Sequence, residues 1–261
     1  MRHERRNDIV KKIQKNKTIK IQDLINEYKV SIETIREDLT FLEEKGYLKR
    51  VYGGAILHEY YSLAEPEHRQ RSQINHREKQ AIGKKAASLI NDGDSVFLYY
   101  GTTTIEAVRH LKDKKNLIII TNSVLVAQEL LQFSSKNNEW KIILLGGELR
   151  TGELTTYGDV TISNFKNFNV SKALIGVGGV DLKAGVTDYN FEEASLHRTV
   201  VKRADTVIAL ADHDKFGVIT LNRICPIRDL DILVTDWLVP EDTVKKYQDL
   251  GITVYKTPEG E

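Results

Sequence analysis

Between residue 77 and the end of the chain, short apolar runs of strand length keep returning, separated by stretches of helical period. The runs cover residues 96–100, 117–121, 142–145, 173–177, 207–211 and 232–235, with an edge run at 252–255. Helical spacing intervenes at 79–90, where Ile82, Ala86 and Ile90 share a face, and again at 104–111, 124–131, 192–204 and 240–250. Strands alternating with helices predict an open, largely parallel sheet covered on both faces, an α/β unit. The longest runs fall far short of the roughly twenty apolar residues that cross a bilayer, so no membrane role is expected.

In sheets of this kind ligands bind in the crevice beyond the carboxyl ends of the strands. The first run is followed by Gly101-Thr102-Thr103-Thr104, the second by Asn122 and Ser123, and the third by Gly146, Gly147, Glu148 and Arg150. Gly178, Gly179 and Asp181 follow the fourth, and Asp212-His213-Asp214-Lys215 the fifth. These ends converge on one edge as a polar pocket. Free amides, a positive helix end and three hydroxyls suit GTTT to an oxyanion, and Lys215 would add a full charge. The same Gly and Thr residues also serve plain tight turns. The chain has no GxxxxGK[ST], and GVGGV is not a dinucleotide fingerprint, so a small phosphorylated metabolite fits better than a nucleoside triphosphate.

The first 57 residues follow a different pattern. Ile9, Val10 and Ile13 define a first helix, 18–21 a short strand, and Leu24 and Tyr28 a second helix. Ser31 is a good N-cap for a third, whose buried stripe is Ile35, Leu39 and Leu42. Glu33, Thr34, Arg36, Glu37 and Thr40 then point outward or to the flanks, and Gly46 stops the helix. Residues 47–52 and 55–57 can pair across Gly53-Gly54. This is the pattern of a winged helix-turn-helix, whose second helix of the motif enters the major groove. The alternative is a three-helix protein-docking domain. On the DNA reading the contact residues are Ser31, Glu33, Thr34, Arg36 and Thr40, with Lys49 and Arg50 of the wing on phosphates. Glu33, Glu37 and Asp38 make this helix acidic, which counts against it. Charge supports it: residues 1–58 carry a net +4 and the remainder a net −3. Residues 58–76, polar and containing Pro66, Arg69 and Arg71, are expected to form a solvated linker, leaving 77–257 as the α/β unit. A single cysteine, Cys225, excludes a disulfide framework or a Cys-based zinc site, and the expected location is the cytoplasm.

The stretch VSIETIREDLTFLEEKGYLKRVYGGAI, residues 30–56, resembles the DNA-binding signature of the DeoR-type bacterial transcriptional regulators. Its matches are Val30, Ser31, Thr34, Ile35, Arg36, Asp38, Leu39, Leu42, Glu43, Gly46, Gly53, Gly54 and Ala55; Glu37 stands where the family usually has a second arginine. Further on, REKQAIGKKAASLI, the GTT turn, TNS, GGE, GVGGVD, GVT with NFEEA, and ADHDKFG are similar to the DeoR-type sensor domain in order and spacing. That domain resembles ribose-5-phosphate isomerase in fold. The resemblance implies a regulator, commonly a repressor, of a sugar or polyol catabolic operon, bound to double-stranded operator DNA and relieved by a phosphorylated sugar effector. Phosphate contacts would come from Gly101, Thr102, Thr103 and Lys215, and Asn122, Asp181, Thr187 and Glu193 would line the rest. Tyr99-Tyr100 replaces the usual Asp and small residue, and Asp214 the usual Ser, which would crowd the phosphate side and oppose an anion.

An enzyme is the competing class: an aldose–ketose phosphate isomerase with Asp181 or Glu193 moving the proton and Lys215 steadying an enediolate. No catalytic set is convincing, so no enzyme activity is expected. Asp212-His213-Asp214 lacks a second cluster, so neither metal nor other cofactor is expected. Helix-turn-helix proteins dock on paired half-sites, which predicts a homodimer or higher homo-oligomer.

Overall fold

The computed structural model describes residues 2–16, 18–44, 47–51, 54–57, 61–62, 68–134 and 138–259. Contacts divide the chain into two compact units, Met1–Ser62 and Leu63–Glu261.

In the first unit, helix α1 (Arg2–Asn16) leads to strand β1 (Thr18–Lys20), then α2 (Ile21–Tyr28), α3 (Ile32–Glu44), β2 (Leu48–Val51) and β3 (Gly54–Leu57). Helix α2 carries the expected Leu24 and Tyr28. Its end is set by Lys29, which adopts a left-handed φ of 52° and donates its N–H to the Ile25 carbonyl. Ser31 then caps α3, its Oγ accepting from the Thr34 N–H at 3.2 Å. Ile35, Leu39 and Leu42 meet Ile9, Ile13, Leu24, Leu48 and Ala55 in one core. Strands β2 and β3 form the antiparallel pair expected of the wing, and β1 adds a third strand on the β3 side. Gly46 and Gly53 lie outside the described residues.

That third strand explains Gly54. A Cβ there would stand 2.2 Å from the Ile19 carbonyl oxygen, so β1 and β3 approach only because position 54 lacks a side chain. Gly54→Ala is expected to cost about 1–3 kcal/mol through forced displacement of the strand pair. Thermal melting of the first unit would read it, and a variant as stable as wild type would contradict the close approach.

The second unit is built on seven strands, each neighbouring pair parallel, in the spatial order Thr253–Lys256, Ile232–Thr235, Ala204–Leu210, Val170–Gly176, Ser95–Leu98, Ile118–Thr121, Lys141–Leu144. Successive side chains alternate between faces. Val96, Leu98, Ile119, Leu174, Ile208 and Val234 pack with Ile82, Ala86, Val108 and Leu130 on one side. Phe97, Ile120, Ala173, Ile175, Ala209 and Leu233 pack with Phe165, Ala194, Val200 and Tyr247 on the other. Double-sided cover is why these strands read as continuous apolar runs.

The chain starts at the Ser95–Leu98 strand, steps outward twice, then returns to lay Val170–Gly176 on its other flank. The direction of winding reverses between these two strands, which opens a crevice at their carboxyl ends. Tyr100, Gly101 and Gly178 follow those ends.

Four parts differ from the sequence expectation. The helix expected at 104–111 begins at Thr102, so Thr102 and Thr103 belong to its first turn. An antiparallel hairpin, Glu148–Arg150 with Thr155–Tyr157, and a helix Gly158–Phe165 follow the third strand. Gly179–Asp181, Gly185–Asp188 and Asn222–Cys225 form a small antiparallel sheet. Within the stretch expected as plain linker, His68–Gln73 is helical and a second helix starts at His76. Residues 58–60 and 63–67 lie outside the described ones.

Candidate functional site

On the first unit, Glu33 and Arg36 are exposed on α3, and Thr34 and Thr40 are half-buried beside them. Thr40 Oγ1 donates back to the Arg36 carbonyl at 2.8 Å, and Ser31 Oγ lies 3.1 Å from Thr34 Oγ1. Asp38, counted among the acids of the reading helix, instead faces inward. It is fully buried, with Oδ2 at 2.5 Å from Arg5 Nε and Oδ1 at 2.7 Å from Arg6 Nε. Arg6 also lies over the Phe41 ring, 3.8 Å from its centre. The outer face of α3 is therefore less acidic than its sequence suggests. The side chains of Lys49 and Arg50 lie outside the described ones; their backbone is in β2.

On the second unit, the focus of the crevice is Glu193. Asn190 caps the Phe191–Val201 helix, its Oδ1 accepting from the Glu192 and Glu193 amides, which seats Glu193 in the first turn. The carboxylate is 1% exposed. Thr155 Oγ1 donates to Oε1 at 2.6 Å; Tyr100 OH and Arg150 Nη1 donate to Oε2 at 2.9 and 2.6 Å. Burial raises the pKa of Glu193, and the Thr155, Arg150 and Tyr100 contacts oppose that rise. Three chain segments meet here: a central strand end, the 148–157 hairpin and a helix.

Tyr99 and Tyr100, expected to crowd the phosphate side, are directed into this network instead. Tyr99 OH donates to the Glu193 carbonyl at 2.9 Å, and its ring stacks on buried His197 at 4.1 Å. His197 Nδ1 lies 3.2 Å from Asp188 Oδ2.

Gly101 has a φ of 140° and precedes Thr102, Thr103 and Thr104, all buried. Asn122 Nδ2 donates to the Thr156 carbonyl at 3.0 Å. Asn122 Oδ1 and Thr104 Oγ1 are buried without a hydrogen-bond partner among the described residues. A bound hydroxyl would satisfy Asn122 Oδ1 by donating to it, and Thr104 Oγ1 would be satisfied by donating to a hydroxyl or phosphate oxygen.

Other expected pocket residues are committed elsewhere. Asp181 Oδ1 accepts from the Lys183 and Ala184 amides at 2.8 and 2.7 Å, closing its own turn. Thr187 Oγ1 accepts from the Thr220 amide at 3.0 Å inside the small sheet. Lys215 is half-buried in the 3-10 turn His213–Lys215, beyond the Ala204–Leu210 strand and two strand spacings, about 10 Å, from the Gly101 strand. Asp214 accepts from Asn75 Nδ2 at 2.8 Å. His213 Nδ1 sits 3.2 Å from Asp236 Oδ1, and that carboxylate raises its pKa. Sequence reading put Arg150 among the strand ends of the pocket without a ligand role, and left Thr155 and Lys79 out of the site. Arg150 alone carried a signal, as a charge just past a strand end.

The profile of the DeoR-like helix-turn-helix domain matches residues 5–60, and that of the DeoR C terminal sensor domain matches residues 74–237. The chain belongs to the DeoR family. The glycerol-3-phosphate regulon repressor of Escherichia coli (strain K12) is 31% identical over 234 residues, spanning 89% of this chain and 90% of that one. The HTH-type transcriptional repressor GlcR of Bacillus subtilis (strain 168) is 37% identical over 209 residues, 80% and 78% of the two chains. Among solved structures, ribose 5-phosphate isomerase A of Methanocaldococcus jannaschii aligns with a TM-score of 0.39 at 17% identity, covering 54% of this chain and 55% of that one. No helix among the described residues is long and apolar enough to cross a membrane.

The DeoR sensor unit also buries a lysine in its first long helix. Lys79 is 5% exposed and donates from Nζ to the carbonyls of Arg71 and Ile74, with Asp212 Oδ2 at 4.0 Å. Burial pushes its pKa down to about 8 from the usual 10.5; Asp212 pulls the other way, and Lys215 adds to the fall. Between those two values the unfolded chain holds a proton that the folded chain has lost, so stability rises with pH across the window. The rise is about 3 kcal/mol at most. Denaturant melts at pH 7.5 and 10 would show it in wild type and not in Lys79→Met; equal slopes in both would remove Lys79 as its source.

Proposed function

We propose that this DeoR-family chain is a cytoplasmic transcriptional repressor of a sugar or polyol catabolic operon. It binds operator DNA as a homodimer or higher homo-oligomer and is released by a phosphorylated sugar or polyol. The observation that carries the DNA half is α3: capped by Ser31, open along Glu33, Thr34, Arg36 and Thr40, with its Asp38 neutralised from within. Arg36 reads a base edge or fixes a phosphate, and Lys49 and Arg50 add sequence-independent phosphate contacts. Residues 1–57 serve DNA, 58–76 connect, and 77–257 bind the effector.

In the effector half, the amides and hydroxyls of Gly101, Thr102, Thr103 and Thr104 take the phosphate, with Lys215 as a longer-range charge. Asn122, Arg150 and Glu193 meet the hydroxyls, and Asp181 and Thr187 shape the flanking sheet. The unpaired Asn122 Oδ1 and Thr104 Oγ1 support a polar ligand here. Against an isomerase, Glu193 already accepts three hydrogen bonds and Asp181 is spent on its own turn. Names of relatives such as the glycerol-3-phosphate regulon repressor favour a phosphorylated effector.

The test is fluorescence anisotropy with the chain's own upstream DNA at fixed salt, with and without a panel of sugar and polyol phosphates. Specific binding weakened by one compound is expected. Arg36→Ala should lose about 1–3 kcal/mol of operator affinity while the protein melts as wild type. Unchanged binding by that variant would remove α3 as the reading helix, and turnover of ribose 5-phosphate would restore the enzyme reading.

A further inference from the structure

The segment that precedes the sensor unit's first long helix is held by a cluster of charged groups that neither DNA reading nor effector binding uses. The helix His68–Gln73 and the turn up to His76 are tied down at three points. Arg71 Nη2 pairs with Glu153 Oε2, a carboxylate 3% exposed at the tip of the 148–157 hairpin. Lys79 Nζ holds the carbonyls of Arg71 and Ile74 and faces buried Asp212. Asn75 Nδ2 donates to Asp214 Oδ2 at 2.8 Å.

The positions of the three anchors are informative. Glu153 lies between Arg150 and Thr155, which pair with each other in the hairpin register and both donate to Glu193. Asp212 and Asp214 bracket His213 immediately before Lys215. Every one of these anchors sits on a loop that also carries a proposed effector contact. A hairpin of three paired residues per strand moves as a body, so a shift of Arg150 and Thr155 carries Glu153 with it. Separating Glu153 from Arg71 would leave a carboxylate buried and uncompensated, so the helix is bound to follow.

We propose that the 148–157 hairpin is a relay: effector binding at Glu193 and Arg150 is transmitted through Glu153 to Arg71, and so to the segment that follows the DNA-binding unit in sequence. Glu153 and Arg71 are positioning residues that touch neither DNA nor effector. The relay rests on the pocket reading given above. An effector hydroxyl that accepts from Arg150 draws on the guanidinium that serves Glu193, and this exchange displaces the hairpin. Energetic coupling of this form is reciprocal, so a change at either end is felt at the other.

The experiment perturbs the pocket by mutation and reads the segment in the full-length protein by hydrogen exchange. Glu193→Gln is expected to change exchange over residues 68–76 by about fivefold or more, the low end of ordinary coupling factors. The same substitution in a Glu153→Gln background should change it little. Arg71→Met serves as a second background in case one variant folds poorly, and melting identifies that case. An equal change with and without the Glu153–Arg71 pair, or no change in either, overturns the relay. Operator anisotropy on the same proteins separates the two readings. Wild type that binds no specific DNA rejects the repressor, while the exchange result still decides the relay.

Discussion

Asp38→Ala is expected to unfold the DNA-binding unit and leave the sensor unit folded. The side chain is fully buried, and the Arg5 and Arg6 side chains that bracket it are only 14% and 12% exposed. Removing the shared acceptor leaves two guanidinium groups partly desolvated next to the Ile35–Leu39–Leu42 stripe. Breaking a buried pair in this way costs about 3–5 kcal/mol, whereas the pair's net worth against an apolar replacement is far smaller. A unit of this size has about 3–5 kcal/mol in all from its single core. Calorimetry on the full chain should therefore lose one transition and keep the other, and operator binding should vanish with the lost one. Asp38→Asn keeps one acceptor for one arginine and should fall between. Two transitions within about 1 kcal/mol of wild type in Asp38→Ala would show the charges to be solvated after all.

This residue also measures what was readable beforehand. Asp38 lies three residues after Ile35 and four before Leu42, so helical period alone puts it on the buried stripe. Its acidity masked that, because the arginines that make burial tolerable are 32 and 33 residues away on another helix. Ile9, Ile13, Leu39 and Leu42 needed no such help: each is apolar, and period and burial agree. The central strands were legible for the same reason, their bounds shifting by three residues or fewer.

Where the sequence was silent, the physical cause differs from place to place. The 148–157 hairpin begins Glu148-Leu149-Arg150 with Glu148 and Leu149 exposed, and its second strand buries the polar Thr155 and Thr156, so it has no apolar face to write a pattern. The helix after it opens at Gly158, with a φ of 85°, and exposes Val160 at its first turn. Strand order is decided by long-range pairing and leaves no local mark, yet it is what sets the crevice beside Tyr100 and Gly101. The pocket residues divide along the same line. Gly101, the threonines and Asn122 follow strands and were found by position; Thr155 reaches Glu193 only through a hairpin that no periodicity announces.

Glu193→Ala is expected to abolish the effector response of operator binding and to destabilise the sensor unit by about 3 kcal/mol or more. The substitution takes from Thr155, Tyr100 and Arg150 the one carboxylate on which all three converge, inside a site 1% exposed. Stability and response are separable by Glu193→Gln, which keeps the shape and drops the charge. The pH dependence gives a third, independent reading. Burial raises the Glu193 pKa above the ordinary 4.5, so the folded chain holds its proton more tightly than the unfolded chain does. The stability contributed by the protonated form is fully present below 4.5 and is lost as pH rises through the folded value. Denaturant melts from pH 4 upward should therefore fall more steeply in wild type than in Glu193→Gln. Identical slopes would mean that Thr155, Arg150 and Tyr100 fully offset the burial.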